Sequence, residues 1–105
     1  MLKVAMHRVA DGEVDRLRSW MSELMRRRDE VIATFENEGV RHELAYLLPV
    51  TDGWILVYAA EMEDPERASA AFRASSLPID HEHKQVMAKV LGARVDAELL
   101  YDVAV

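Results

Sequence analysis

A βαββαβ order of elements predicts an α+β domain of the ferredoxin-like kind, built on a four-stranded antiparallel sheet. Three observations carry the prediction. Hydrophobic spacing switches between period two and period three to four along the chain. A turn at Asp52-Gly53 joins two apolar runs into a hairpin. The run Trp54-Ile55-Leu56-Val57-Tyr58-Ala59-Ala60 is apolar on both sides, which an antiparallel strand facing water normally is not.

The first strand is expected over residues 2–9, where Leu2, Val4 and Met6 alternate with Lys3, Ala5 and His7. Asp11-Gly12 opens a single long helix with Asp11 as its cap. Its stripe runs through Val14, Leu17, Met21, Leu24, Val31, Ile32 and Phe35. Gly39 is placed to stop it, because glycine accepts the left-handed conformation of a helix end. Strands over 40–48 and 54–62 follow, joined through residues 49–53. Asp64-Pro65 then supplies a cap and first-turn proline for a short helix through Ala68, Ala71 and Phe72. Leu77-Pro78 interrupts that arm. A further helix spans about residues 78–90 with Gly92 at its end, and a last strand, about 94–103, alternates Val95, Ala97, Leu99, Tyr101 and Val103 with polar side chains.

In this pattern both helical arms cover one face of the sheet and leave the other bare. An apolar bare face needs a cover, and the simplest is the same face of a second copy about a two-fold axis. An interface of roughly 800 Å² per partner is ordinary. A homodimer is therefore expected, its two sheets packed face to face.

Composition narrows the function. The 105 residues form one expected domain, 1–105, with formal net charge −6 and a pI near 5.1. That balance argues against a nucleic-acid surface, which needs clustered cations. The one basic run, Arg26-Arg27-Arg28, is followed at once by Asp29 and Glu30. No cysteine is present, which removes thiolate chemistry and Cys-based zinc sites. No stretch is long enough to span a bilayer. The first eight residues lack the apolar core of a signal peptide, so a cytoplasmic location is the default expectation. Phosphate loops, nucleophile elbows, His-Glu-x-x-His pairs and EF-hand loops are absent, and no cofactor or metal is expected.

The candidate chemistry lies in Pro78-Ile79-Asp80-His81-Glu82-His83. On a helix the two histidines lie roughly 200° apart and cannot share an ion. His83 falls on the inward stripe with Ile79, Val86, Met87 and Val90, whereas His81 points outward. Asp80, one turn earlier, is placed to hydrogen-bond His83 and fix its tautomer, the arrangement of a general base. The other reading of the pair is a half-buried histidine satisfied locally. Arg28 interrupts the long helix's apolar stripe and must either snorkel to water or pair, with Glu43, Glu61 or a bound anion as candidate partners. His7 and Tyr58, with Tyr46, are further candidates to line a ligand site on the sheet.

Several stretches resemble a family: Trp20-Met21-Ser22-Glu23-Leu24, Arg26-Arg27-Arg28-Asp29-Glu30, Glu38-Gly39-Val40, and Ser75-Ser76-Leu77-Pro78-Ile79-Asp80-His81-Glu82-His83. They look like those of a small uncharacterised bacterial domain family related to the dimeric α+β barrel superfamily. The likeness covers nearly the whole chain. It departs at Leu77, where the family's motif carries histidine, and retains His83. It implies a ferredoxin-like dimer without an established activity. The wider superfamily includes monooxygenases, mutarotases and ligand-binding modules, so fold does not choose among them. Two readings follow: a small-ligand-binding or structural homodimer, and a small-molecule enzyme, an isomerase or cofactor-independent oxygenase, using His83 as acid–base group and Asp80 as its orienter.

Overall fold

A computed structural model describes all residues, 1–105. Its elements are β1 (Leu2–Val9), α1 (Val14–Arg26), α2 (Arg28–Glu38), β2 (Val40–Val50), β3 (Gly53–Met62), α3 (Pro65–Ala74), α4 (Pro78–Val90) and β4 (Leu91–Val95). The strands form one antiparallel sheet in the order β2-β3-β1-β4. This α+β arrangement is compatible with a ferredoxin-like fold. The doubly apolar β3 sits inside the sheet, as its composition requires.

Register assigns the faces. Opposed residues share a side, so Lys3, Ala60 and Glu43 line up with Ala5, Tyr58 and Ala45 and with His7, Leu56 and Leu47. That side carries the helices. Val9 and Leu56 pack with Leu17 of α1 and Val90 of α4, and Ala60 and Met62 pack with Ala68 of α3 and Phe35 of α2. The opposite side holds Val4, Met6, Leu44, Tyr46, Leu48, Ile55 and Val57 and has no helix upon it. Val4 is 54% exposed, Leu44 44%, Tyr46 61% and Leu48 46%. No helix is long and apolar enough to cross a membrane.

Local chemistry explains most boundaries. Asp64 caps α3 by accepting from the backbone N–H of Glu66 (3.0 Å) and Arg67 (3.3 Å), with Pro65 in the first turn. Gly39 ends α2 at φ 76°, a conformation that strains any residue with a Cβ. Pro78 starts α4 after an extended Leu77. The hairpin is tighter than expected: β2 runs on through Pro49 to Val50, leaving Thr51 and Asp52 as the turn. Proline is tolerated there because β2 is an edge strand.

Four expectations require correction. The long helix is two helices, broken at Arg27 (φ −106°, ψ 38°) without glycine or proline. A continuous helix would carry Arg28 into the apolar stripe. The break turns Arg28 and Ile32 outward, leaving Arg28 exposed and Ile32 37% exposed. Arg27 faces inward in its place, with its guanidinium on Glu30 (2.7 Å) and on Glu82 of α4 (2.6 Å). Asp11 does not cap α1. The helix begins at Val14 behind a turn in which Gly12 has φ 77°, and Glu13 occupies the cap position with no side-chain cap bond.

The last strand is short. β4 pairs with β1 only as far as Val95, opposite Met6. Residues 96–105 lie outside any strand, with Leu99 78%, Tyr101 81% and Val103 78% exposed. Alternation alone does not make a strand where no neighbour supplies hydrogen bonds. Gly92 lies within β4 and does not terminate the helix. A Cβ on it would stand 3.3 Å from the Arg8 carbonyl oxygen, so its role is close strand approach.

Candidate functional site

Tyr58 projects from the middle of β3 between Ala5 and Ala45, its opposed neighbours on β1 and β2. Two small residues beside one large ring leave room, and a cavity of about 500 Å³ opens there beneath the helices. Helix α1 contributes Met21, Leu24 and Met25, while α2 contributes Val31, Thr34, Phe35 and Glu38. The sheet adds Glu43, Leu44, Ala45 and Tyr58. Phe72 of α3 and Ile79, Asp80 and His83 of α4 close the far wall. Met25 is 64% exposed, so the cavity opens beside the C-terminal end of α1. The lining is largely apolar, with Thr34, Glu38, Glu43, Asp80, His83 and the Tyr58 hydroxyl as its polar groups.

Asp80 is 2% exposed and holds three elements together. Its carboxylate accepts the Thr34 hydroxyl of α2 (2.8 and 2.7 Å to the two oxygens) and the Ser75 hydroxyl of the α3–α4 link (2.5 Å). Ser75 Oγ in turn accepts the Leu77 N–H at 3.1 Å. These donors offset the desolvation of a buried carboxylate. The expected Asp80–His83 hydrogen bond does not form, because the carboxylate is committed to the two hydroxyls.

Trp20 of α1 orients His83 instead. Its indole Nε1–H donates to His83 Nδ1 at 2.8 Å. Indole nitrogen is a donor only, so Nδ1 must be unprotonated and the neutral ring carries its proton on Nε2. Phe72 packs edge-on to the imidazole at 5.9 Å. Burial holds the His83 pKa below its ordinary value, and the nearby charge of Asp80 offsets only part of that. His83 is neutral at pH 7 and presents an N–H donor.

Two glutamates complete the polar lining. Glu38, at the last turn of α2, is 8% exposed, and Glu43 is half-buried on β2. Both carboxyls are pushed up to about 7. Burial is the main cause for each, and the charges of Asp80 and Glu43 add to it at Glu38. The Tyr58 hydroxyl is enclosed without a hydrogen-bond partner. Burial, with the Glu43 charge behind it, holds its pKa well above the usual phenol value, so it stays protonated.

Of the residues singled out from the sequence, His83, Asp80 and Tyr58 meet in this cavity. Arg28 does not: it is exposed beyond the helix break and pairs with neither Glu43 nor Glu61, the latter holding the N-terminal amine at 2.7 Å. His7 shares the helix-covered side of the sheet, opposite Leu56, but lies outside the cavity lining. His81 is exposed, as its helical position predicts, and sits beside Gln85. No group of three His, Asp or Glu side chains is placed to hold a metal ion.

Sequence reasoning passed over Trp20, Thr34 and Glu38 and weighed Glu43 only as a partner for Arg28. A signal for Thr34 and Glu38 was present. They follow Val31 at helical spacing on the buried side of α2, where an apolar pair would serve packing better.

Neither the curated proteins nor the solved structures offer a match to this chain. A family model does match, over residues 2–104, that of a family of unknown function, DUF6176. With nearly the whole length of the chain covered, the protein belongs to that family.

Proposed function

We propose that this domain binds a small molecule in the cavity between its sheet and helices, and does so as a homodimer. One observation carries the binding reading. The Tyr58 hydroxyl is buried at the cavity without a partner in the chain, and Glu38, 8% exposed, lines the same space without a hydrogen bond. An unmade hydrogen bond of the Tyr58 kind costs about 1–3 kcal/mol of stability. Packing alone gives no reason to keep such groups beside a space of about 500 Å³, whereas a ligand that bonds them does.

The bare sheet face supports the dimer. Val4, Leu44, Tyr46 and Leu48 lie exposed around half-buried Ile55 and Val57. Contiguous apolar surface of this kind marks an interaction site, and two copies packed face to face would cover it. The exposed apolar side chains of residues 96–105 add further surface for a second subunit to cover.

Screening small-molecule fragments by NMR tests binding. Ligands that shift the Trp20 indole and His83 ring resonances support it, and shifts confined to the outer face of the sheet count against it.

A catalytic reading uses the same space, favoured by two glutamates held near neutrality opposite His83. Because Nδ1 accepts from Trp20, neutral His83 would polarise a substrate oxygen as a hydrogen-bond donor through Nε2–H, and Glu43 or Glu38 would be the base. Under that reading His83→Ala abolishes turnover while ligand still binds. Under the binding reading no turnover accompanies binding in either protein.

A further inference from the structure

Two of the three carboxylate groups of this cavity are treated differently from the third. Asp80, 2% exposed, receives two hydroxyl donors. Glu38, 8% exposed, receives none, and Glu43 also lacks a partner. No lysine or arginine lines the space. The arginines nearby are engaged elsewhere: Arg67 and Arg41 hold Glu63 at 3.1 and 3.7 Å, and Arg27 holds Glu30 and Glu82. The enclosed Tyr58 hydroxyl has its oxygen free to accept and its proton free to donate.

A buried carboxylate without an internal counter-charge calls for an external one. A metal ion does not suit, since no three ligating side chains come close enough to share it. The remaining walls are apolar and aromatic, with Leu24, Phe35 and Phe72 around the acids. We propose that the cavity takes a small organic cation, a protonated amine on an apolar or aromatic body, with Glu38 and Glu43 as counter-charges and the Tyr58 oxygen accepting from the ammonium. The aromatic faces would add cation–π attraction. The assignment rests on the ligand-binding reading above and gives its ligand a chemical class.

Binding of such a cation is linked to protons. The titratable groups facing the space are Glu38 of α2, Glu43 of β2, Tyr58 of β3, and Asp80 and His83 of α4. The lining side chains of α1 and α3 are apolar. Glu38 and Glu43 ionise near pH 7, and His83 is already neutral there. Affinity for a cation therefore rises with pH through neutrality, while affinity for a neutral isostere does not.

Isothermal titration calorimetry on the full chain, with tryptamine, tryptophol and indole-3-acetate as probes, tests the assignment. These share one ring system and differ in the charge of the side chain. At about pH 8, tryptamine should bind about tenfold or more tighter than tryptophol, with indole-3-acetate weakest, and the preference should shrink at about pH 5.5. Glu38→Gln and Glu43→Gln should each remove most of the preference for tryptamine over tryptophol, with circular dichroism confirming the fold. If one variant does not fold, the other decides. Tryptophol binding as tightly as tryptamine at the higher pH overturns the cation assignment and leaves the binding reading standing. No binding by any of the three at millimolar concentration overturns both.

Discussion

The indole of Trp20 and the imidazole of His83 are joined by one hydrogen bond of 2.8 Å between α1 and α4, and that bond decides which face of the histidine is free. It requires an unprotonated Nδ1, so it stabilises the neutral ring and opposes protonation. Trp20→Phe removes the donor. His83 should then titrate higher, nearer its ordinary value, as followed by the pH dependence of its ring proton shifts. The lost bond should lower stability by about 1 kcal/mol, with a further cost for the volume removed. An unchanged titration would show that burial alone sets the protonation of His83.

The depressed His83 pKa also sets a direction for stability. The unfolded chain binds a proton that the folded one resists, so the contribution of this group is complete above the unfolded value of about 6.5 and is lost as pH falls below it. Relative to wild type, His83→Gln should flatten the decline in the urea midpoint on the acid side of that value.

Glu38 and Glu43 act with the opposite sign. Their folded values are raised to about 7 from 4.5, so the folded chain holds protons that the unfolded one releases. Their contribution is present below 4.5 and lost as pH rises through 7. Glu38→Gln should therefore stabilise the protein above neutrality, by about 1–3 kcal/mol, and change little near pH 4.5. Chemical denaturation at the two ends of that window measures the difference, and equal effects at both would refute it.

Asp80 is a clamp between α2, α4 and the link before α4. Asp80→Ala removes the acceptor shared by Thr34 and Ser75 and should cost about 2–4 kcal/mol. Thr34→Val, which removes one of the two donors, should cost about 1–2 kcal/mol. A double-mutant cycle between Thr34 and Asp80 that gave no coupling would show the contact to be idle.

The bare sheet face makes a separable prediction. Tyr46 is 61% exposed in the single subunit, so Tyr46→Asp should alter subunit stability by no more than about 0.5 kcal/mol. In a face-to-face dimer it buries a charge and should weaken association at least about tenfold. Analytical ultracentrifugation over a concentration series reads the change. Wild-type protein that sediments as a monomer at micromolar concentration would remove the dimer altogether.

Much of the fold is legible in the residues because its cues are local. Asp64-Pro65 writes the start of α3 and Gly39 the end of α2, and the two-sided apolarity of β3 marks the bare sheet face as apolar. The inward stripe of α4 put His83 inside and His81 outside, which the exposures follow. The break at Arg27 was not legible, since neither glycine nor proline marks it and the ion pair that Arg27 makes there reaches Glu82, 55 residues away. The fate of residues 96–105 was misjudged for a related reason: their alternation describes a strand's side chains, but pairing belongs to the neighbour.

The candidate site divides in the same way. That His83 faces inward and that the sheet has one apolar bare side follow from periodicity, which depends only on the geometry of helix and strand. Which group holds His83 is a contact between residues 63 positions apart, and Trp20 won it because Asp80 was already bound by hydroxyls from two other segments. The near-neutral Glu38 and Glu43 likewise arise only when folding withdraws them from water together. Local sequence determined the elements and their faces; tertiary packing decided the partners and the protonation, because those depend on distance and dielectric between parts of the chain that sequence does not bring together.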